Sequence, residues 1–490
     1  MAYYDLREWL EQVEAAGELK RISGASWDLE MANIAEIVFR QGREPKPAIM
    51  FDDIPDYPKG YRTLFGLLRS PLRIAKALCL PEDQLDYATM LPNLRKKLRD
   101  RGLIPPKFVT EGAIEANTLT GDKVDLFKFP SPRSHEQDGG RYIGTCHAVI
   151  QKDIDTGWVN LGTYRIMIVD RNHLVLHALE GQHGSIIAEK YFARGKVMPV
   201  AIAIGIDPAL YWASGTSKLP IGTSEYDYAG GLKGEPIEVL EGPFTGLPIP
   251  ATAEIVIEGE CHPGELADEG PFGEWHGYYA NLGLISVPEP VIQVKAIHYR
   301  DNPILTCAHP AVPPNDVSLQ MCLALSAQMW NQMEANGIPG IKGVWCHELG
   351  CGNLFNVVSI EQSYEGHSRK AGLTAAVYPP VAGRYTVVVD EDIDPSNLVQ
   401  VIWAMSTRVL PDQSIQIINR CASSSADPAI SPEEKKKYKT APKPLHASRV
   451  LIDACRPLEW KNDWYPMARI SQEYQEEILK KWNTILAELI

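Results

Sequence analysis

The chain has 490 residues, of which 45% are apolar and 22% charged; 48 basic against 62 acidic side chains leave a formal charge of −14. That composition suits a globular protein of about three domains, and its acidity, with no dense Lys/Arg stripe, argues against a nucleic-acid partner. No apolar run reaches the roughly 18 to 20 residues of a membrane span and the first residues lack an apolar signal core, so no membrane partner and a cytoplasmic location are expected.

Asp5 and Glu8 fit a capping box, and Leu6, Trp9, Leu10 and Val13 form one apolar face before Gly17 ends the helix. Residues 47–51 read as a strand and the stretches near 70–101 as helical, so residues 1–112 are expected to form an α/β domain, with 107–125 leading into the next unit. From 113 to 312 the chain turns to short β-rich runs between turns, including 147–151, 165–169, 199–205 and 253–258, which argues for a barrel or sandwich. A long helix is expected over 315–337, then α/β alternation to about 420, a Pro/Ser/Lys-rich loop over 423–445, and a terminal helix. The basic cluster at Lys435 reads as part of that solvated loop. The third domain would span 313–465. In the last segment, 466–490, Tyr474, Ile478, Trp482, Ile485 and Leu489 share one face. The nine cysteines are scattered and odd in number, which fits reduced thiols, and the Cys346/Cys351 pair lacks a second pair at finger-like spacing.

The most informative run is Glu269-Gly-Pro-Phe-Gly-Glu274-Trp-His-Gly-Tyr278. A Gly-Pro-x-Gly segment tends to reverse the chain and present both flanking carboxylates to one place. Two glutamates sharing a poorly hydrated site with a cation between them can move a proton, and mutual repulsion is expected to raise the pKa of one. The plain alternative is a surface turn with solvated acids.

Three further segments precede this run in order: Asn160-Leu-Gly-Thr-Tyr-Arg165, Gly181-Gln-His183 and Thr223-Ser-Glu225-Tyr. With the stretches at 388–394 and 403–408, the chain resembles the UbiD-type reversible decarboxylases over nearly its whole length. The resemblance implies an α+β multidomain fold in which a central split β-barrel of the flavin-reductase type is flanked by N-terminal and C-terminal α/β domains. It implies prenylated FMN as cofactor, contacted at Thr145, Tyr164, Arg165, Gln182, Ser214, Gly215 and Thr216. Asn160, His183 and Glu225 would hold Mn²⁺ or Mg²⁺ at the cofactor phosphate, a mixed O/N set suited to such a cation. Trp158, Ser217 and Glu225 match positions that gather K⁺. Arg165 would take the substrate carboxylate, Glu274 would protonate the carbon that loses CO₂, and Glu269 would tune Arg165. The implied partners are a flavin prenyltransferase and further copies of the chain, as a dimer or hexamer, with the terminal helix between subunits.

One departure bears on substrate. The cinnamate-type branch has a lysine where this chain reads Ala375-Ala-Val-Tyr378-Pro-Pro, which looks more like the hydroxybenzoate and vanillate branch. Trp275 would add a flat wall beside Glu274. A small benzoate-like or heteroaromatic acid is therefore expected, an aryl-CoA being the alternative, with CO₂ as the other reactant. Two other classes compete. A flavin oxidoreductase would leave the glutamate pair without purpose, and a non-catalytic flavin-binding or assembly protein would be expected to lack Glu274 or Arg165, both of which are present.

Overall fold

A computed structural model describes residues 3–216, 219–280, 283, 285–378, 383–440 and 445–489. Its first helix, Leu6–Ala15, starts where Asp5 accepts a hydrogen bond from Glu8 N, and it buries Leu6, Trp9, Leu10 and Val13. The Glu8 carboxylate reaches back one residue further than a standard box, to Tyr4 N at 2.6 Å. Behind this helix lies a four-stranded sheet in the order Leu19–Ser23, Ala48–Asp52, Arg62–Phe65, Ile304–Thr306. The last strand arrives from far along the chain and runs parallel to Arg62–Phe65. The N-terminal layer is thus completed by a segment that follows the central sheet.

The centre is an antiparallel nine-stranded sheet curled into a half-barrel, as the sequence led us to expect. Eight strands follow the order Tyr142–Gly144, Ile166–Ile168, His173–Leu176, Val287–Tyr299, Ile255–Glu269, Met198–Ile204, His147–Lys152, Val159–Gly162; Asn117–Thr120 pairs with the far part of Val287–Tyr299. The long pair Ile255–Glu269 and Val287–Tyr299 changes register at Glu258/Gly259 and again between Cys261 and Leu266. Such bulges bend a strand and increase its twist, which suits a closing sheet. The run from Val200 to Ile204 is apolar throughout because both faces are covered. Val200, Ile202 and Ile204 enter one core, and Ala201 and Ala203 enter the other, with Trp212 of the helix Pro208–Thr216.

The C-terminal sheet has the order Ile341–Cys346, Phe355–Ile360, Tyr385–Asp390, His446–Ala454, Ile415–Ala422, with parallel central pairings and antiparallel edges. The 423–445 stretch departs from the expected solvated loop: Pro432–Thr440 is a helix, and Lys435 is buried, donating from Nζ to Ala280 O at 2.6 Å. Proline at the helix start and Glu433 and Glu434 in its first turn favour that helix, and a carbonyl from the central domain gives the lysine its burial site. The terminal helix, Gln472–Leu489, leaves Tyr474, Trp482 and Ile485 roughly half exposed. Among the described residues no helix is long and apolar enough to cross a membrane.

Candidate active site

Two clusters meet along the stretch 158–165, which leaves the strand Val159–Gly162, crosses a short loop and enters Ile166–Ile168. The first cluster forms around Arg165. Its Nε and Nη2 donate to Glu269 Oε1 and Oε2 at 2.7 and 2.8 Å, a two-pronged pairing, and its Nη1 donates to Glu274 Oε1 at 2.6 Å. Glu269 is 1% and Glu274 8% exposed. The Phe272 ring lies below the guanidinium, 4.9 Å from Cζ to centroid. The solvated-turn alternative therefore does not describe this segment.

Local structure explains the convergence. Glu269 is the last residue of its strand, paired with Val287, and Gly270 takes φ +83°, which a side chain would strain. Pro271 O then accepts from Gly139 N, Gly273 N donates to Asp138 Oδ1, and Gly277 N closes a turn onto Glu274 O. A Cβ on Gly139 would lie 1.9 Å from Gly270 O, so glycine is required for this close approach. The far side is pinned by Asn315 Nδ2 on Trp275 O and by a His276 Nε2 contact with Ala426 O.

Of the two carboxyls, Glu269 moves opposite to the rise that mutual repulsion would give it. The guanidinium stands between the two acids. Burial pushes the Glu269 carboxyl up, but hydrogen bonds and charge from Arg165 outweigh it and hold Glu269 below the usual carboxylate range. Burial likewise opposes the charge on Arg165, and Glu274 and Glu269 together overcome that opposition and raise its pKa. Sequence reasoning missed three supporting groups. Tyr142 Oη donates to Glu269 Oε1 at 2.8 Å, and His177 Nδ1 lies 2.8 Å from Glu289 Oε1 and 3.8 Å from Glu269 Oε2. Each comes from a different strand or loop with no local pattern to mark it.

The second cluster gathers Trp158, just before the strand Val159–Gly162, Asn160 within it, His183 at the first turn of the helix His183–Phe192, and Glu225 at the first turn of Glu225–Lys233. Glu225 Oε2 accepts from Leu161 N at 2.7 Å. Tyr164 Oη joins the other members, accepting from Asn160 Nδ2 at 3.3 Å and Gly184 N at 3.0 Å. The Trp158 and His183 rings are 5.0 Å apart, and among the described residues Trp158 Nε1 is buried without a hydrogen bond. Glu225 is 4% exposed and has no cationic side chain in contact among the described residues, so burial pushes its carboxyl up to about 7. An amide, an imidazole and a desolvated carboxylate at two helix N-termini fit a divalent cation with an anionic ligand.

The flavin-contact candidates fall around these clusters. Thr145 Oγ1 accepts from Ala308 N, Gln182 Oε1 from Leu179 N, and Ser214 O from Thr163 N. Ser214, Gly215 and Thr216 form the last turn of the helix Pro208–Thr216. A helix C-terminus presents carbonyls, so phosphate-binding N–H groups must come from elsewhere. Among the described residues a Cβ on Gly215 would meet nothing nearer than 3.4 Å. Ser217 lies outside the described residues.

Comparison with known proteins agrees with this architecture. Three family models match in succession: the 3-octaprenyl-4-hydroxybenzoate carboxy-lyase N-terminal domain over residues 10–88, the Rift-related domain over 107–313 and the C-terminal domain over 318–454. The chain therefore belongs to the UbiD family of carboxy-lyases. It is 34% identical over 425 residues to pyrrole-2-carboxylic acid decarboxylase of Pseudomonas aeruginosa, covering 83% of each. The UbiD-class enzyme HmfF of Pelotomaculum thermopropionicum, solved with FMN, superposes with a TM-score of 0.83 at 26% identity over 96% of this chain and 98% of that one. An evolved dimeric form of that enzyme was solved with prFMN. Vanillic acid decarboxylase of Sedimentibacter hydroxybenzoicus in its closed form gives a TM-score of 0.82 at 28% identity, covering 98% and 99%.

Proposed function

We propose that this carboxy-lyase acts on a small aromatic or heteroaromatic acid, reversibly and without net oxidation, using prenylated FMN. The observation that carries the reading is one buried guanidinium held by two carboxylates, Glu269 at two nitrogens and Glu274 at the third. That asymmetry assigns separate tasks. The two-pronged Glu269 contact fixes the orientation of Arg165, while the single contact at Nη1 is the one an incoming carboxylate would replace. Seating the substrate there adds a negative charge to a site that already holds two carboxylates and one guanidinium. Glu274, released from Nη1, is the group positioned to carry a proton and deliver it to the carbon that has lost CO₂. The prenylated flavin, when bound, supplies the electron sink for the departing carboxylate's bonding pair.

On this reading Asn160, His183 and Glu225 hold Mn²⁺ or Mg²⁺ at the cofactor phosphate, and Trp158, Ser217 and Glu225 contribute to a K⁺ site. Thr145, Tyr164, Arg165, Gln182 and the stretch 214–216 face the flavin. A flavin prenyltransferase supplies the cofactor in the cytoplasm. The domains run 1–112, 113–312 and 313–465, and the exposed apolar side chains of the terminal segment, 466–490, support packing against a second copy. The pyrrole and vanillate substrates of the relatives and the half-buried Trp275 beside Glu274 support a flat ring of that size.

The test is to make the protein with and without a flavin prenyltransferase, identify the bound flavin by mass spectrometry, and screen CO₂ release from pyrrole-2-carboxylate, vanillate and cinnamate. Activity on one of the first two, dependent on the prenyltransferase, is expected. Full turnover with plain FMN would refute the cofactor, and a preference for cinnamate would refute the substrate class.

A further inference from the structure

Outside the two clusters, the fold brings together Glu36 of the helix Glu30–Gln41, His135 of the turn at 135–138, and His309, which follows the strand that completes the N-terminal sheet. One potential ligand atom from each lies within 4.8 Å of the other two. Glu36 Oε2 faces His309 Nε2 at 3.4 Å, while Glu36 Oε1 is held by Arg40 Nη1 at 2.8 Å. The two imidazoles stack with centroids 4.5 Å apart, and His309 is 1% exposed. Nδ1 of each ring is buried without a hydrogen bond among the described residues. Asp138 stands behind His135, its Oδ2 3.4 Å from His135 Nδ1 and accepting from His135 N at 3.0 Å.

We infer that Glu36, His135 and His309 form a second metal site, for a zinc-like divalent cation, separate from the set at Asn160. Two imidazoles and one carboxylate are a borderline donor set of the kind that takes zinc and leaves a fourth position open. A carboxylate behind a ligating imidazole is the usual outer support of such a site, and Asp138 stands in that place. Ligands about 2.0–2.1 Å from zinc in a tetrahedron are separated by roughly 3.3 Å, so closing the site needs the ligand atoms to approach by at most about 1.5 Å. Asp138 Oδ1 also accepts from Gly273 N and Tyr279 Oη. The cation would therefore fasten the helix Glu30–Gln41 to the segment that carries Glu274.

The full-length protein, loaded with Mn²⁺ and then dialysed against Zn²⁺ or Co²⁺, tests this by elemental analysis and visible absorption. One retained zinc per chain is expected, and cobalt should give the intense bands of a tetrahedral site. Glu36→Gln and His135→Gln should each weaken zinc retention at least about tenfold, Asp138→Asn about 10- to 100-fold, and Glu225→Ala should leave it unchanged. Absence of both the retained zinc and the cobalt bands in the unaltered protein overturns the site. So does a zinc that survives Glu36→Gln and His135→Gln but is lost in Glu225→Ala, since it would then belong to the other cluster.

Discussion

The Arg165 and Glu225 clusters lie at opposite ends of the same short stretch, yet the protein treats their charges in opposite ways. Around Arg165 every charge has a partner from the chain itself: two glutamates on one guanidinium, a tyrosine hydroxyl on Glu269, and His177 between Glu269 and Glu289. Around Glu225 the chain supplies a backbone N–H and no countercharge among the described residues, and burial raises the carboxyl toward neutrality. A buried carboxylate without a cation is costly. The first cluster is complete in the free protein and, on the proposed reading, is rearranged by its substrate, whereas the second would be made favourable by a bound cation.

Glu225→Ala should have the largest effect, because on the proposed reading it removes the anionic ligand of the second cluster. We expect complete loss of bound Mn²⁺ and flavin with the fold intact, read by elemental analysis, absorbance and circular dichroism; stoichiometric retention of both would show that Glu225 is not a ligand and that the two clusters do not differ in this way. Glu274→Gln comes next. It keeps shape and hydrogen-bonding capacity but carries no acidic proton, and a positioned general acid contributes about 10²–10⁴-fold. CO₂ release should fall at least about 100-fold at unchanged cofactor content, and near-normal steady-state turnover would remove Glu274 from the chemistry.

Tyr142→Phe probes how fully the first cluster satisfies itself. A hydrogen bond to a charged acceptor contributes roughly 1.5–3 kcal/mol, so urea unfolding should report a loss in that range, while a loss below about 0.5 kcal/mol would mean that Arg165 alone satisfies Glu269. The smallest effect expected is on acid stability. Glu269 has a folded-state pKa below its unfolded value of about 4.3, so its contribution is present above that pH and is lost as pH falls through the lower folded value. Glu269→Gln should therefore flatten the fall in stability below about pH 4.3, besides impairing catalysis by loosening Arg165; an unchanged slope would place the acid sensitivity elsewhere.

The terminal and capping elements were legible because their signals are local. Asp5 with the apolar spacing Leu6, Trp9, Leu10 and Val13 marked the first helix correctly. The helix Pro432–Thr440 was missed because its buried lysine depends on Ala280 O, a carbonyl about 150 residues away in the chain. That Ser214 to Thr216 close a helix is set by tertiary packing around Trp212, which the small polar residues themselves do not signal.

The sequence by itself determined the β-rich character of the central third, the family resemblance that implied its curled sheet, and the identity of the charged residues, since alternation, turn chemistry and ordered segments are properties of neighbours along the chain. Only the tertiary structure decided how the charges are compensated. The pairing of Arg165 with both glutamates, the support from Tyr142 and His177, the isolation of Glu225, and the meeting of Glu36, His135 and His309 all join residues far apart in the chain. Their energies depend on burial and distance, and neither is fixed until the layers have packed.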